Sequence, residues 1–264
     1  MTTHGSRSLV PVTVATMALA TLVTGLSALA APFDPVEATI PELQAAYAKR
    51  RVTAVSVVKR YLSRIAKQDD KGAKLNSVLV NPDALAEAAR ADQLRAAGIV
   101  LGPLHGVPIV VKDSFAVKGM PTTDGFDGWK VLVAPDDAPN VKLLRQAGAI
   151  ILGKTNMSTF AFSYDGISEA WGVVMNPYNP NRTPGGSSSG TGAAIGANLA
   201  MLGMGGETGG SIRIPSDFNG LVGLKPSLGL IPAGGTVPLV PRSTSSDRSP
   251  RASPTSRWRS TPSR

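Results

Sequence analysis

The 264-residue chain contains no cysteine, and that absence removes disulfide staples, thiolate metal sites and a cysteine nucleophile together. Histidine is almost missing too. Only His4 and His105 occur, which rules out a histidine-rich metal centre and leaves His105 as the one candidate base for a Ser-His-Asp triad. His105 stands in a turn-like Gly-Pro-Leu-His-Gly-Val-Pro segment, where ordering that turn is the preferred reading. The chain has neither a Walker A phosphate loop nor an internal repeat.

Acidic residues are scarce: 18 stand against 27 Lys and Arg, for a net charge of +9. Such an excess can mark a nucleic-acid or membrane partner, but here it is unevenly placed. Six arginines and a single aspartate fall in residues 242–264, so the body of the chain is close to neutral. Its charged runs, such as Lys59 to Lys67, read as solvated helix faces. Neither a nucleic-acid partner nor a membrane role beyond export is expected.

The first thirty residues carry no mature structure in this reading. Arg7 supplies a positive start, Leu9 to Leu26 is apolar without an acidic residue, and Ala28-Leu29-Ala30 is a small-residue cleavage site. That layout predicts a secretory signal over residues 1–30 and a mature N-terminus at Ala31, favoured over a membrane anchor because prolines, threonines and a glycine interrupt the apolar run. The product would be secreted or held in the cell envelope.

Beyond the signal, Thr39-Ile40-Pro41-Glu42 is a capping box with proline in the first turn, and Val52 to Ala66 repeats apolar residues at helical spacing. A third helix is expected from Pro82 to Ala97, capped by Asn81 and stopped by Gly98. Leu104 to Val111 reads as a buried strand, Ala138 to Ala147 as a helix and Ala149 to Leu152 as another strand. Alternating helices and strands predict an α/β fold over residues 31–241. Lys112 closes the first strong strand, where such folds place chemistry.

The richest stretch runs from Arg182 to Pro215, with two Gly/Ser clusters around an apolar run. Ala193 to Met204 is too apolar for a solvated linker. The second cluster ends in Gly209-Gly210-Ser211 before helix-compatible sequence. A serine there, preceded by residues without a Cβ, lets a substrate carbonyl approach backbone N–H groups. Gly190-Thr191-Gly192 followed by Gly196 also suggests a dinucleotide loop, but no strand precedes it and no acidic residue stands at a strand end at the required distance.

Three segments in order, His105 to Asp113, Gly185 to Gly190 and Gly205 to Pro215, resemble the amidase signature enzymes over roughly Glu37 to Val240. The spacings of 75 residues from Lys112 to Ser187 and 24 from Ser187 to Ser211 fit that family. The resemblance implies a mixed β-sheet core flanked by helices and a Ser-Ser-Lys triad. Ser211 would be the nucleophile, Ser187 the proton relay, Lys112 the base, and the backbone of Thr208, Gly209 and Gly210 the oxyanion hole. It also implies a cis Gly186–Ser187 peptide, a supporting role for Ser188 beside the substrate, and an acyl-pocket place for Phe162, whose alternative is ordinary core. Asn156, Arg182 and Arg213 match family positions that fix loops. Ser189 stands where glycine is common. No metal or cofactor is implied. The expected reaction is hydrolysis of a small-molecule amide, with a homodimer compatible with it. The amide-hydrolysing, A-type component of a tRNA-dependent amidotransferase is the alternative that shares these motifs.

Resemblance stops after Val240, and residues 242–264 are almost wholly Arg, Ser, Thr and Pro. This basic, low-complexity tail has the composition that GC-rich DNA gives in a shifted frame. The expectation is an incomplete core followed by an out-of-frame tail, in a product that is inactive or poorly folded.

Overall fold

The computed structural model describes Met1, residues 33–227 and 229–239, and the backbone of residues 252–257. The expected signal sequence therefore lies outside the described residues, as does the tail apart from 252–257. The described residues from Phe33 onward belong to one compact unit.

Helix α1 (Ile40–Ala48) begins on the expected capping box: the Glu42 N–H donates to Thr39 Oγ1 at 3.3 Å, and the Thr39 N–H donates to Glu42 Oε2 at 2.7 Å. A second box, Thr53 with Ser56, opens α2 (Ala54–Arg64), whose Val57, Val58 and Tyr61 enter the core. Each such cap contributes about 1 kcal/mol. The helix runs on through a π-turn, Ile65–Asp69. There the buried Asp69 carboxylate accepts the N–H groups of Ser77 and Val78, which fixes the start of strand β1 (Val78–Val80).

Helix α3 (Ala84–Ala96) starts two residues later than expected. Asn81 is not its cap: the Asn81 side chain accepts the Asp83 N–H in a turn and donates to the Ile151 carbonyl. Strand β2 (Pro108–Lys112) also starts later, because Leu104 to Val107 make a turn closed by the Val107 N–H on the Leu104 carbonyl. Helix α4 (Pro139–Gln146) and strand β3 (Ile150–Thr155) stand close to where the pattern puts them. A small hairpin, β4 (Ile167–Ser168) with β5 (Gly172–Val173), lies outside the main sheet. The Gly/Ser-rich region gives α5 (Ser189–Gly196), β6 (Leu202–Gly206), α6 (Arg213–Phe218) and β7 (Leu221–Gly223).

The main sheet has the order β1-β3-β2-β6-β8-β7, where β8 is Ala252–Arg257. Strands β3, β2 and β6 are parallel, and the other pairings are antiparallel. Every residue of β2 and β3 is buried, as expected for parallel strands covered on both faces. The mixed α/β architecture predicted from sequence is present.

Within the low-complexity segment 242–264, residues 252–257 form strand β8. Strands β6 and β7 do not pair with each other, so the gap between them exposes backbone donors and acceptors that an extended segment can satisfy whatever its side chains. Residues 252–257 fill that gap, pairing with both neighbours.

Candidate active site

Because β2, β3 and β6 are parallel, Lys112, Thr155 and Gly206 end at one edge of the sheet, where open α/β sheets bind ligands. Lys112 is 2% exposed, and its Nζ donates to Ser187 Oγ at 2.6 Å. Removing an ammonium from water favours its neutral form. Burial pushes Lys112 down to about 8, although Asp124 and Glu207 pull it back up.

Ser187 lies just before α5, in a fully buried run, and the Gly186–Ser187 peptide is cis. Helix α5 can seat here only because Gly190 lacks a side chain: a Cβ would come within 2.5 Å of the Asn156 carbonyl and 2.6 Å of the Ser77 carbonyl. The Ser188 N–H donates to the Ser211 carbonyl at 3.2 Å and so ties the two Ser segments together. Thr191 meets Thr155 across the helix–sheet contact at 2.6 Å.

Ser211 sits just before α6, after Gly210, whose φ of +126 is open to glycine. The carbonyls of the turn are engaged. Gly209 accepts the Tyr164 hydroxyl at 2.9 Å, and Gly210 accepts the Ile214 N–H at 2.8 Å. Glu207 anchors the turn from below, accepting the Ile212 N–H at 2.5 Å and the Arg213 guanidinium at 2.8 Å. Burial pushes the Glu207 carboxyl up, but these bonds hold it below the usual range.

Lys112, Ser187 and Ser211 line one narrow cleft of about 20 Å³, together with Ser114, Asp124, Ala161, Gly206, Glu207 and Thr208, and with Thr236, Val237 and Leu239 along one side. The last three are held there by the Val237 N–H on the Ser114 carbonyl. A larger apolar cavity of about 490 Å³ lies elsewhere, among Leu104, Leu143, Leu202, Met204 and Leu230. It carries no group able to do chemistry, so the small cleft and not the large cavity is the candidate active site.

Other predicted residues stand differently. Thr208 reaches the cleft, whereas Gly209 and Gly210 are not among its lining residues. Ser188 does not face the cleft: its Oγ accepts the Gly206 N–H at 3.1 Å and donates to the Gly206 carbonyl at 3.3 Å, stitching α5 to the end of β6. Phe162 is neither pocket wall nor core but 78% exposed. The chain turns at Phe160 and Ala161, both with positive φ, and it is Phe160 that stacks on Phe126, 5.1 Å between centroids. Asn156 bridges the Asn76 and Gly172 carbonyls, Arg213 pairs with Glu207, and the Arg182 N–H caps a turn on Asn179, all of them loop-fixing contacts.

His105 is buried with Nε2 3.0 Å from the Ala91 carbonyl and Nδ1 accepting the Leu101 N–H, away from both serines. The Gly190-Thr191-Gly192 run is inside α5 and wholly buried, so it forms no phosphate loop. Among the described residues no three His, Cys, Asp or Glu side chains could hold a metal ion, and no helix is long and apolar enough to cross a membrane.

Sequence reasoning missed Asp124. Its only signal was the Asp-Gly pair, a turn signature, and both residues do take positive φ. It also missed the buried ion pair of Lys154 with Asp113 at 2.6 Å, with Asp113 further held by the indole N–H of Trp171.

A parallel-stranded edge carrying a buried Lys–Ser pair beside a second serine, reached through Gly-rich turns, is one recognisable class of site. The sequence model of the Amidase family matches residues 56–249, and the chain belongs to that family. It is 41% identical to the peptide amidase of Stenotrophomonas maltophilia, with a TM-score of 0.79 over 86% of this chain and 46% of that one. A fatty acid amide hydrolase superposes with a TM-score of 0.77 at 27% identity, over 85% of this chain and 40% of that one. The A-type component of the glutamyl-tRNA(Gln) amidotransferase of Acidothermus cellulolyticus is 44% identical over 77% of this chain. The chain spans about 40% of the length of that curated relative.

Proposed function

We propose that the protein hydrolyses a carbon–nitrogen amide bond to a carboxylic acid and ammonia or an amine, through an acyl-serine intermediate. The observation that carries this reading is the 2.6 Å contact from Lys112 Nζ to Ser187 Oγ, with Ser211 on the same cleft wall. Neutral Lys112 accepts a proton through Ser187 as Ser211 Oγ attacks the carbonyl carbon. The N–H groups of the Thr208 to Ser211 turn stabilise the developing oxyanion. Ser187 then returns the proton to the leaving nitrogen, and water, activated by the same pair, releases the acid. Ammonia release from simple amides, measured beside nucleotide binding on one purified sample, tests it. Nucleotide binding without ammonia release would sink the proposal.

The identity to A-type amidotransferase components supports a second reading, an amide-hydrolysing protein that works in a complex. The signal-like residues 1–30 favour export and a free small-molecule amidase instead. N-terminal sequencing of the abundant species decides between them: Ala31 supports export, and Met1 or Thr2 supports a protein that stays inside.

A further inference from the structure

Among the described residues, the charged groups of the cleft differ in their partners. Lys112 donates to Ser187, and both oxygens of Glu207 are taken by Arg213 and the Ile212 N–H. Asp124 is 3% exposed and lines the same cleft, yet its Oδ1 is buried without a hydrogen-bond partner among the described residues. Thr236 Oγ1, on the cleft wall, is buried and unpartnered in the same sense. Buried acceptors in folded proteins are normally satisfied, so two unsatisfied ones in a single cleft point to a ligand that brings donors.

The placement of Asp124 is rigid. Its backbone holds a left-handed φ of 49, its N–H donates to the Asp113 carbonyl at 3.4 Å, and its carbonyl accepts the Phe160 N–H at 2.7 Å. The charged groups around it are Lys112 from β2, Asp113 beside it, and Lys154 from β3, which is already paired with Asp113. When Lys112 is neutral, as a base must be, the Asp124 carboxylate loses the only uncommitted cation that the described residues offer it. A buried anion then faces the substrate without compensation.

We propose that Asp124, resting on the amidase reading, is a specificity-determining residue that selects amides carrying a protonated amine next to the scissile carbonyl. The ammonium supplies the missing donors and replaces the positive charge that Lys112 gives up. α-Aminoacyl amides are the smallest substrates of this class.

Glycinamide and propionamide are near-isosteres that differ in this one group. At pH 7 the amine of glycinamide is largely protonated. The expected kcat/KM of the full chain is about tenfold to a hundredfold higher for glycinamide, the range of a hydrogen bond to a charged group. Asp124→Asn should bring the ratio near one. A wild-type ratio near one, or a ratio unchanged in Asp124→Asn, overturns the assignment while leaving the amidase reading intact. Calorimetric binding of the two amides to Ser211→Ala separates the two proposals. Preferential glycinamide binding that Asp124→Asn abolishes, in a protein whose wild type cleaves neither amide, supports the site and removes the amidase reading. Absence of both turnover and binding overturns both.

Discussion

Two lysines are buried side by side at the ends of adjacent parallel strands, Lys112 on β2 and Lys154 on β3, one register position apart and 2% and 1% exposed. Burial draws both toward the neutral form. Their partners separate them. Lys154 Nζ meets the Asp113 carboxylate at 2.6 Å, the Pro121 carbonyl at 2.6 Å and Thr122 Oγ1 at 3.0 Å, a complete acceptor set for an ammonium. Lys112 has a single hydroxyl in contact, and a hydroxyl can donate to a neutral amine as readily as accept from a cation. One lysine is held as a cation and organises the loop of residues 113–124. The other is free to exchange a proton. Solvent exclusion is common to both, so what makes a buried lysine a base is the absence of a contacting anion.

The largest effects test the chemical half of this comparison. Lys112→Ala and Ser211→Ala should each reduce kcat on the order of 10⁴-fold, and the double variant should lose little more, because the groups act in one proton-transfer unit. Ser187→Ala should be comparably damaging. Steady-state kinetics on any amide that the wild type cleaves supplies the check, and near-full activity in any of the three variants would end the assignment.

Stability tests the other half, and here the order reverses. Lys154→Met leaves the Asp113 carboxylate buried without its cation and should cost about 3 to 5 kcal/mol. Lys112→Met removes an amine with one hydrogen bond and no contacting anion, and Asp124, whose carboxyl burial already raises, can protonate in its absence, so the loss should be smaller than for Lys154→Met. Urea unfolding of both variants measures the difference. Equal losses would mean that Lys112 is held as a structural cation too.

A third effect is in pH. On the proposed mechanism the base is the neutral form of Lys112, which prevails above about 8, so kcat/KM should climb about tenfold per pH unit below that value and level off above it. Asp124, raised by burial to about 6, is half ionised at pH 6 and ionised over the upper part of that climb. Its negative charge raises Lys112, so Asp124→Asn should move the climb to lower pH. A profile from pH 6 to 10 that is flat, or that falls across 8, contradicts a neutral-lysine base.

How much of this could be read beforehand depends on which force sets each element. Capping boxes and helical periodicity are local, and α1, α2 and α4 were legible from them. Strand β6 was not, because Leu-Gly-Met-Gly-Gly has no β-branched residue. Its glycines are there for close approach, since a Cβ on Gly205 would stand 2.9 Å from Ser188 Oγ. The Lys and two Ser of the cleft were legible from motif and spacing. Asp124 and the Lys154–Asp113 pair were not, because they meet only when β2, β3 and the intervening loop fold together. Phe162 was placed in the wrong surroundings for a similar reason: two positive-φ residues decide where it points.

The smallest predicted effect is the sharpest test of register. Three serines stand in a row, and only one contacts a lysine. Ser189 is buried like Ser187, but its Oγ makes two contacts of 3.4 Å, to the Ser187 carbonyl and to Ser158 Oγ, both at the weak end of hydrogen-bond geometry. Replacing it with glycine removes those contacts and places one more flexible residue in the first turn of α5. The stability cost should be about 1 kcal/mol. The Lys112–Ser187 contact does not pass through that side chain, so kcat/KM for Ser189→Gly should stay within about threefold of wild type, against the near-total loss in Ser187→Ala. The two variants differ by two positions along the chain and share the same burial, so a general packing effect would strike both alike. If Ser189→Gly is the dead variant and Ser187→Ala the active one, the proton route runs through the third serine, and the 2.6 Å lysine contact is structural.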